Sequence, residues 1–228
     1  MRAIILAGGK GTRLRPYTIS IPKPLVPVGD KPILERIIEQ LRNCGFSHIT
    51  IAVNYLSDVI MAYFSDGSKW GVKIDYSIEN MELGTMGPLN LIKDLPNNFL
   101  VMNGDVLTDL DYHELFQFHV SKSSTFTICS SICKTKVDFG VLDSNSDNEL
   151  VGFQEKPILT HRVSMGIYIV NTDALKFITE NMNFGFDNLV VSLINSGILP
   201  KIYDFHGYWL DIGRPSDYEQ ALIDINGL

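Results

Sequence analysis

What this chain has little of narrows the field before anything it contains is weighed. Its three cysteines, Cys44, Cys129 and Cys133, are odd in number, with no Cys-x2-Cys spacing and no His-rich neighbourhood. That pattern argues against a metal or redox site. Cys129 and Cys133, four apart in a β-like stretch, are expected to share one strand face as buried thiols. No apolar run approaches a membrane span, and the run after Met1-Arg2 is too short for a signal peptide, so the expected setting is the cytoplasm, with no membrane partner. There is no basic tract, and 19 basic residues against 26 acidic ones give a net charge of −7. This argues against nucleic acid as a partner. Internal repeats and low-complexity linkers are missing too. With 228 residues, 45% of them apolar, residues 1–228 read as a single domain with an inserted lobe.

The stretch around which the rest is arranged is Leu6-Ala7-Gly8-Gly9-Lys10-Gly11-Thr12-Arg13-Leu14. It follows a short apolar run, Ala3 to Leu6, and so reads as a glycine-rich loop leaving a buried first strand. Glycine lets backbone N–H groups approach an anion, and Thr12 and Arg13 add a hydroxyl donor and a guanidinium fork. Gly-x4-Gly-Lys-Ser/Thr does not occur, which excludes a P-loop. The dinucleotide fingerprint fails as well, because Leu14 stands where its third glycine is needed. The loop is expected to hold phosphate in some third way.

Beyond the loop, strands and helices alternate. Lys31 to Cys44 has helical periodicity, with Asp30 as expected N-cap, Pro32 in the first turn and Gly45 as the stop. His48 to Val53 reads as a strand, Ser57 to Phe64 as a helix, Val72 to Ser77 as a strand, Gly84 to Lys93 as a helix and Phe99 to Met102 as a strand. This order implies a largely parallel sheet with helices on both faces. From about residue 124 the strands Thr125 to Cys133, Phe139 to Asp143, Leu150 to Gln154 and Met165 to Val170 crowd together, predicting an antiparallel or mixed extension. A Thr172-capped helix, a helix Phe186 to Asn195, a strand Lys201 to Phe205 and the segment Tyr208 to Gly213 precede a final helix that Pro215 helps to start.

Chemistry in open α/β sheets sits at strand ends. In Ile21-Pro22-Lys23-Pro24-Leu25-Val26-Pro27, three prolines predict a stiff, extended segment without helix that fixes Lys23. A surface lysine in a Pro-rich turn is the bland alternative, but the neighbouring loop with Arg13 makes two cations beside one anion site. Asp105 ends an apolar strand in Asn103-Gly104-Asp105, and Asp211 lies in Trp209-Leu210-Asp211-Ile212-Gly213. The two carboxylates could ligate one Mg2+, which bridges phosphates through one or two carboxylates and several waters; a turn aspartate is the ordinary alternative. Asp109-Leu110-Asp111 matches the Asp-x-Asp of glycosyltransferases, yet Asp111 to Glu114 has capping-box spacing, and Asp111 is expected to cap a helix. In Phe153-Gln154-Glu155-Lys156-Pro157, a Glu that accepts from hydroxyls beside a Lys that pairs with phosphate would suit a sugar phosphate; an exposed turn is as plain a reading.

Together, Gly-Gly-x-Gly-Thr-Arg-Leu, Pro-Lys-Pro-Leu, Leu-Gly-Thr-x-Gly-Pro-Leu, Gly-Asp, Phe-Gly-Val, Glu-Lys-Pro and Trp-x-Asp-Ile-Gly resemble, in order and over essentially the whole chain, the sugar-1-phosphate nucleotidyltransferases. The resemblance implies a Rossmann-like three-layer α/β fold with a mostly parallel mixed sheet and a small antiparallel extension. It implies NTP plus sugar 1-phosphate giving NDP-sugar plus pyrophosphate, with residues 1–110 mainly holding nucleotide and 111–228 mainly holding sugar phosphate. Carried over, Leu6, Ala7, Gly8, Gly9, Gly11, Thr12, Arg13, Lys23, Glu79, Gly84 and Thr85 would bind the nucleotide. Arg13 and Lys23 would balance charge on the α-phosphate and departing pyrophosphate, and Asp105 and Asp211 would hold Mg2+. Lys156 would bind the sugar's phosphate, while Glu155 and Gly140 would touch its hydroxyls. No general base is needed, because a sugar phosphate is already an anionic nucleophile.

Leu83-Gly84-Thr85-Met86-Gly87-Pro88-Leu89 resembles most the loop of mannose-1-phosphate guanylyltransferases, with Met86 in place of Ala on a loop that lies against the base. Glu79 only accepts hydrogen bonds, which favours a donor-rich edge such as guanine's, so GTP ranks first with CTP and UTP behind. The chain also resembles short members without a C-terminal β-helix, which include enzymes of heptose and amino-sugar phosphates; a homodimer is left open. Two rival classes are a glycosyltransferase, which leaves Arg13 and Lys23 unused, and a silent nucleotide-sugar sensor, which would be expected to have lost a metal or phosphate residue.

Overall fold

The computed structural model describes residues 1–225. In chain order its strands and helices are β1 (Arg2–Leu6), β2 (Pro27–Val28), β3 (Lys31–Pro32), α1 (Ile33–Asn43), β4 (His48–Val53), α2 (Ser57–Phe64), β5 (Lys73–Ile78), β6 (Asn98–Asn103), β7 (Val106–Thr108), α3 (Tyr112–Ser121), β8 (Phe126–Lys136), β9 (Val141–Ser144), β10 (Leu150–Gln154), β11 (Ile158–Asn171), α4 (Phe186–Asn195), β12 (Lys201–Asp204), β13 (Trp209–Asp211) and α5 (Pro215–Asp224). Seven strands form one mixed sheet in the order β12-β8-β11-β6-β1-β4-β5. β1, β4, β5 and β6 run parallel, β11 is antiparallel to both β6 and β8, and β12 is parallel to β8. β9 with β10, β7 with β13, and β2 with β3 make three small antiparallel pairs.

Side chains alternate across a strand, and the sheet is apolar on both faces because both are covered. Ala3, Ile5, Leu100, Met102, Ile167 and Ile169 enter one core with Ile33, Ile37 and Leu41 of α1, Phe64 of α2, Leu115 of α3 and Ala221 of α5. Their neighbours Ile4, Phe99, Val101, Tyr168 and Val170 enter the other with Leu189 and Leu193 of α4. This is the three-layer α/β arrangement expected, with β9 and β10 as the small antiparallel extension. No helix among the described residues is long and apolar enough to cross a membrane.

Several expected elements differ. Lys31 and Pro32 pair with β2, so α1 starts at Ile33 and its N-cap is Pro32; Asp30 instead accepts from Arg36 Nη2 at 2.8 Å. The helix expected from Gly84 to Lys93 is a single stretch of 3-10 helix, Gly87–Leu91. Thr172 opens a 3-10 helix whose cap is Asn171, accepting from the Asp173 N–H at 2.9 Å. Lys23–Leu25 forms a 3-10 turn where an extended segment was expected. Met165 to Val170 is only the inner half of a fourteen-residue strand. Cys129 is buried on β8, whereas Cys133, on the same strand, is half-buried.

Candidate active site

The chain runs from β1 through β4 to β5 on one side and then returns to β6 on the other side of β1. Loops leaving the carboxyl ends of β1 and β6 therefore diverge, which opens a crevice at the switch point. A cavity of about 480 Å³ lies there, lined by Leu6, Ala7, Gly8, Gly9, Lys10, Gly11 and Thr12, and by Lys23, Glu79, Gly84, Thr85 and Asp105. Its size is that of small-molecule sites.

The glycine-rich loop is shaped by its neighbours. Ala7 N–H donates to Ala52 O at 2.8 Å and Gly104 N–H to Leu6 O at 2.9 Å, extending the sheet's ladder into both loops. Gly11 has φ +61°, and a Cβ there would lie 3.0 Å from the Thr18 methyl and 3.1 Å from Lys23 Cβ. Only glycine allows that conformation so close to the Lys23 turn. The turn holds Lys23 through hydrogen bonds from Leu25 N–H to Pro22 O at 2.8 Å and Val26 N–H to Lys23 O at 3.0 Å.

The opposite wall is the loop after β5. A Cβ on Gly8 would meet Glu79 Oε1 at 3.0 Å, so the backbone passes directly beside that carboxylate. Glu79 accepts one long contact, from Leu83 N–H at 3.5 Å, and burial pushes its carboxyl above the usual range. Gly84 (φ +76°) and Thr85 are held from outside: Phe184 N–H donates to Leu83 O at 2.9 Å and Phe186 N–H to Thr85 Oγ1 at 2.8 Å. Met86 is fully buried in the second core and absent from the cavity wall, so its side chain does not lie where the sequence placed it.

Asp105 and Asp211 meet through a strand pair. β7 begins one residue after Asp105, and Asp211 pairs in register with Val106 while Ile212 N–H donates to Asp105 O at 3.0 Å. Lys23 Nζ donates to Asp105 Oδ2, and the two side chains are 11% and 22% exposed. Asp105 Oδ1 is buried with no hydrogen-bond partner among the described residues. Burial and the Asp105 charge push the Asp211 carboxyl up, against a downward pull from Lys23 and Arg13. Arg13 and Asp211 lie beside the same face of Gly213, where an added Cβ would sit 3.4 Å from Asp211 Oδ2 and 3.7 Å from Arg13 Cζ. Arg13, Lys23, Asp105 and Asp211 thus form one cluster at the edge of the cavity, although Arg13 and Asp211 do not line it.

Gly140, Glu155 and Lys156 sit apart from that wall. They adjoin one another at the β9–β10 hairpin: Glu155 Oε2 lies 3.3 Å from the Cβ position of Gly140, and Lys156 Nζ is 3.8 Å from Glu155 Oε1. Asp109 and Asp111 are used structurally. Asp109 Oδ1 accepts from Tyr208 N–H at 2.7 Å, and Asp111 Oδ1 caps α3 by accepting from His113 N–H at 2.7 Å and Glu114 N–H at 3.3 Å. Neither lines the cavity, so the Asp-x-Asp reading finds no site. The cavity also takes in Lys10, Asn54, Glu82, Asn103 and Asn183, which the sequence reading did not single out as site residues. Lys10 could have been found, since it lies inside the quoted loop; Asn183, ahead of α4, carries no local signal.

The profile of the nucleotidyl transferase family matches residues 2–226. The chain belongs to that family. The chain is 34% identical to a UTP–glucose-1-phosphate uridylyltransferase from Synechocystis sp., over 97% of the chain and 62% of that protein. It is 35% identical to a mannose-1-phosphate guanyltransferase from Schizosaccharomyces pombe, over 96% of the chain and 62% of that protein. The chain therefore spans somewhat under two thirds of the length of these relatives. The crystal structure of HddC from Yersinia pseudotuberculosis superimposes with TM-score 0.76 at 29% identity, covering 98% of this chain and 99% of that one. A second structure of HddC, complexed with GMP-PN, gives TM-score 0.72 at 28% identity, over 98% and 99%.

Proposed function

We propose that this chain transfers the nucleotidyl group of an NTP, GTP first, to a sugar 1-phosphate, mannose 1-phosphate or a related hexose or heptose 1-phosphate. A phosphate oxygen of the sugar attacks the α-phosphorus, the bond to the β-phosphate breaks, and NDP-sugar and pyrophosphate result. The observation that carries the reading is the cluster of Lys23, Asp105, Asp211 and Arg13 set against a glycine-rich loop at the switch point of the sheet.

The residues present fit Mg2+. Asp105 Oδ1 is buried and unpartnered among the described residues, and Asp211 is a carboxylate whose charge is opposed by burial and by Asp105. Two neighbouring carboxylates, one with an oxygen left free of the Lys23 pair, are hard oxygen donors of the kind such an ion takes. Asp105 and Asp211 would hold it, and when bound it would neutralise phosphate charge. Lys23 and Arg13 stabilise charge that builds on the α-phosphate and the leaving pyrophosphate, and Lys23 is preorganised by its proline turn and by Asp105. The loop from Gly8 to Thr12 offers backbone N–H groups to the phosphates. Gly140, Glu155 and Lys156, on their hairpin, would receive the sugar phosphate.

The base preference rests on Glu79, a half-buried acceptor beside Gly8 that suits guanine's two donors. The mannose-1-phosphate guanyltransferase and the HddC complex with GMP-PN support it, and the Synechocystis uridylyltransferase makes UTP the competitor. The test is pyrophosphate release across four NTPs and a panel of sugar 1-phosphates. GTP with mannose 1-phosphate or a close analogue should be fastest. No release with any pair would refute the reaction, and faster use of UTP would refute the base assignment.

A further inference from the structure

The cavity wall is poorly charged for the polyanion proposed above. Two ammonium groups, Lys10 and Lys23, face three carboxylates, Glu79, Glu82 and Asp105. Each ammonium is already held by one of those carboxylates: Lys23 by Asp105, and Lys10 by Glu82 at 2.6 Å. The two pairs differ in kind. Lys23 and Asp105 are largely buried on rigid turns. Lys10 and Glu82 are 58% and 71% exposed, and they join the glycine-rich loop to the loop after β5.

Lys10 projects from between Gly9 and Gly11, within the part of the wall whose backbone N–H groups would meet phosphate. An exposed ion pair is worth little and is easily exchanged. A phosphate oxygen offers an ammonium the same kind of charge-assisted hydrogen bond that the carboxylate offers. We propose, resting on the nucleotide-site reading, that Lys10 is a further phosphate-binding residue of the NTP site and that Glu82 is its placeholder. On this assignment Glu82 occupies the ammonium until the triphosphate displaces it, which links the two loops across the cavity mouth when the site is empty and frees them when it fills.

A placeholder predicts effects of opposite sign in the two partners. Lys10→Met removes a phosphate contact and should weaken GTP binding about tenfold. Glu82→Gln removes a competitor and should tighten GTP binding about two- to fivefold. The double variant should bind like Lys10→Met alone, because without the ammonium Glu82 has nothing to withhold. The experiment is calorimetric titration of the whole chain with GTP and Mg2+, wild type and the three variants, with thermal unfolding of each as a check on folding. If both single variants weaken binding alike, the pair is a structural latch and the placeholder is overturned. If neither shifts it, Lys10 does not touch the phosphates. These outcomes are separate from failure of the nucleotide-site reading, which would show as no NTP binding to the wild type and would overturn both.

Discussion

Asp211→Asn should make the protein more stable while impairing its response to Mg2+. The substitution keeps shape and removes one charge. In the native site that charge is half-buried and stands beside Asp105, and together these push the Asp211 carboxyl upward in spite of Lys23 and Arg13. Single stabilising substitutions, charge changes among them, commonly return about 0.5–2 kcal/mol, and with two cations nearby the gain should lie in the lower half of that range, about 1 kcal/mol. In a chain of this size that corresponds to a rise of about 2–4 °C in Tm. The assay is thermal unfolding at neutral pH with and without Mg2+. Metal should stabilise the wild type and do so measurably less in the variant, whose turnover should also demand more metal. A variant less stable than wild type without metal, or one with an unchanged Mg2+ response, would refute the idea that Asp211 is kept charged for an ion.

Replacing Lys23 by Ala should cut turnover by roughly 10²-fold or more, as removal of a preorganised charge stabiliser does; near-normal pyrophosphate release would remove it from the mechanism. Glu79→Gln should lower the ratio of GTP to UTP use, and an unchanged ratio in competition assays would sink the base reading. His119 is buried between Thr127 Oγ1 at 2.8 Å and Asn98 Oδ1 at 3.1 Å, and burial pushes its imidazole down to about 4. Its neutral form therefore stabilises the fold fully above the ordinary histidine value near 6.5, and that stability is lost as pH falls from there towards 4. The loss should reach about 3 kcal/mol. Urea unfolding at pH 7 and pH 4.5 should show a markedly shallower drop in His119→Gln than in the wild type.

The sequence made Lys23 visible because proline on both sides is rare punctuation, and Asp105 visible because an apolar strand ran straight into Asn-Gly-Asp. It did not show how Asp105 finds Asp211. The connection is the β7–β13 pair, two strands of three residues each, too short for any periodicity to register. The outer half of β11 escaped for another reason: Ile158 to Arg162 is exposed on both faces, so no alternation marks it as strand. Gly84 to Lys93 has apolar residues at helical spacing, yet Leu83 to Gly87 is tied to Phe184, and only a short 3-10 stretch remains. The Met86 reading rested on the resemblance, in which the loop lies against the base, and here the loop pinned to Phe184 turns the thioether into the core. These are non-local effects, which a reading by neighbours and periods does not contain.

A net charge of −7 is no obstacle to a polyphosphate site, because what matters is where the charges sit. Around the cavity the carboxylates still outnumber the ammonium groups, and one oxygen of Asp105 has no hydrogen-bond partner among the described residues. Binding a triphosphate to that wall without added positive charge would bring like charges together in a partly desolvated space, where Coulomb energies are several times those in water. The arrangement is favourable only if a divalent cation arrives with the nucleotide, and if exposed Glu82 can leave while buried Asp105 stays. NTP affinity should then depend steeply on Mg2+, and Glu82→Gln should reduce that dependence less than Asp105→Asn does. Equal NTP affinity with and without the metal would mean that the carboxylates at this site are there for some other reason.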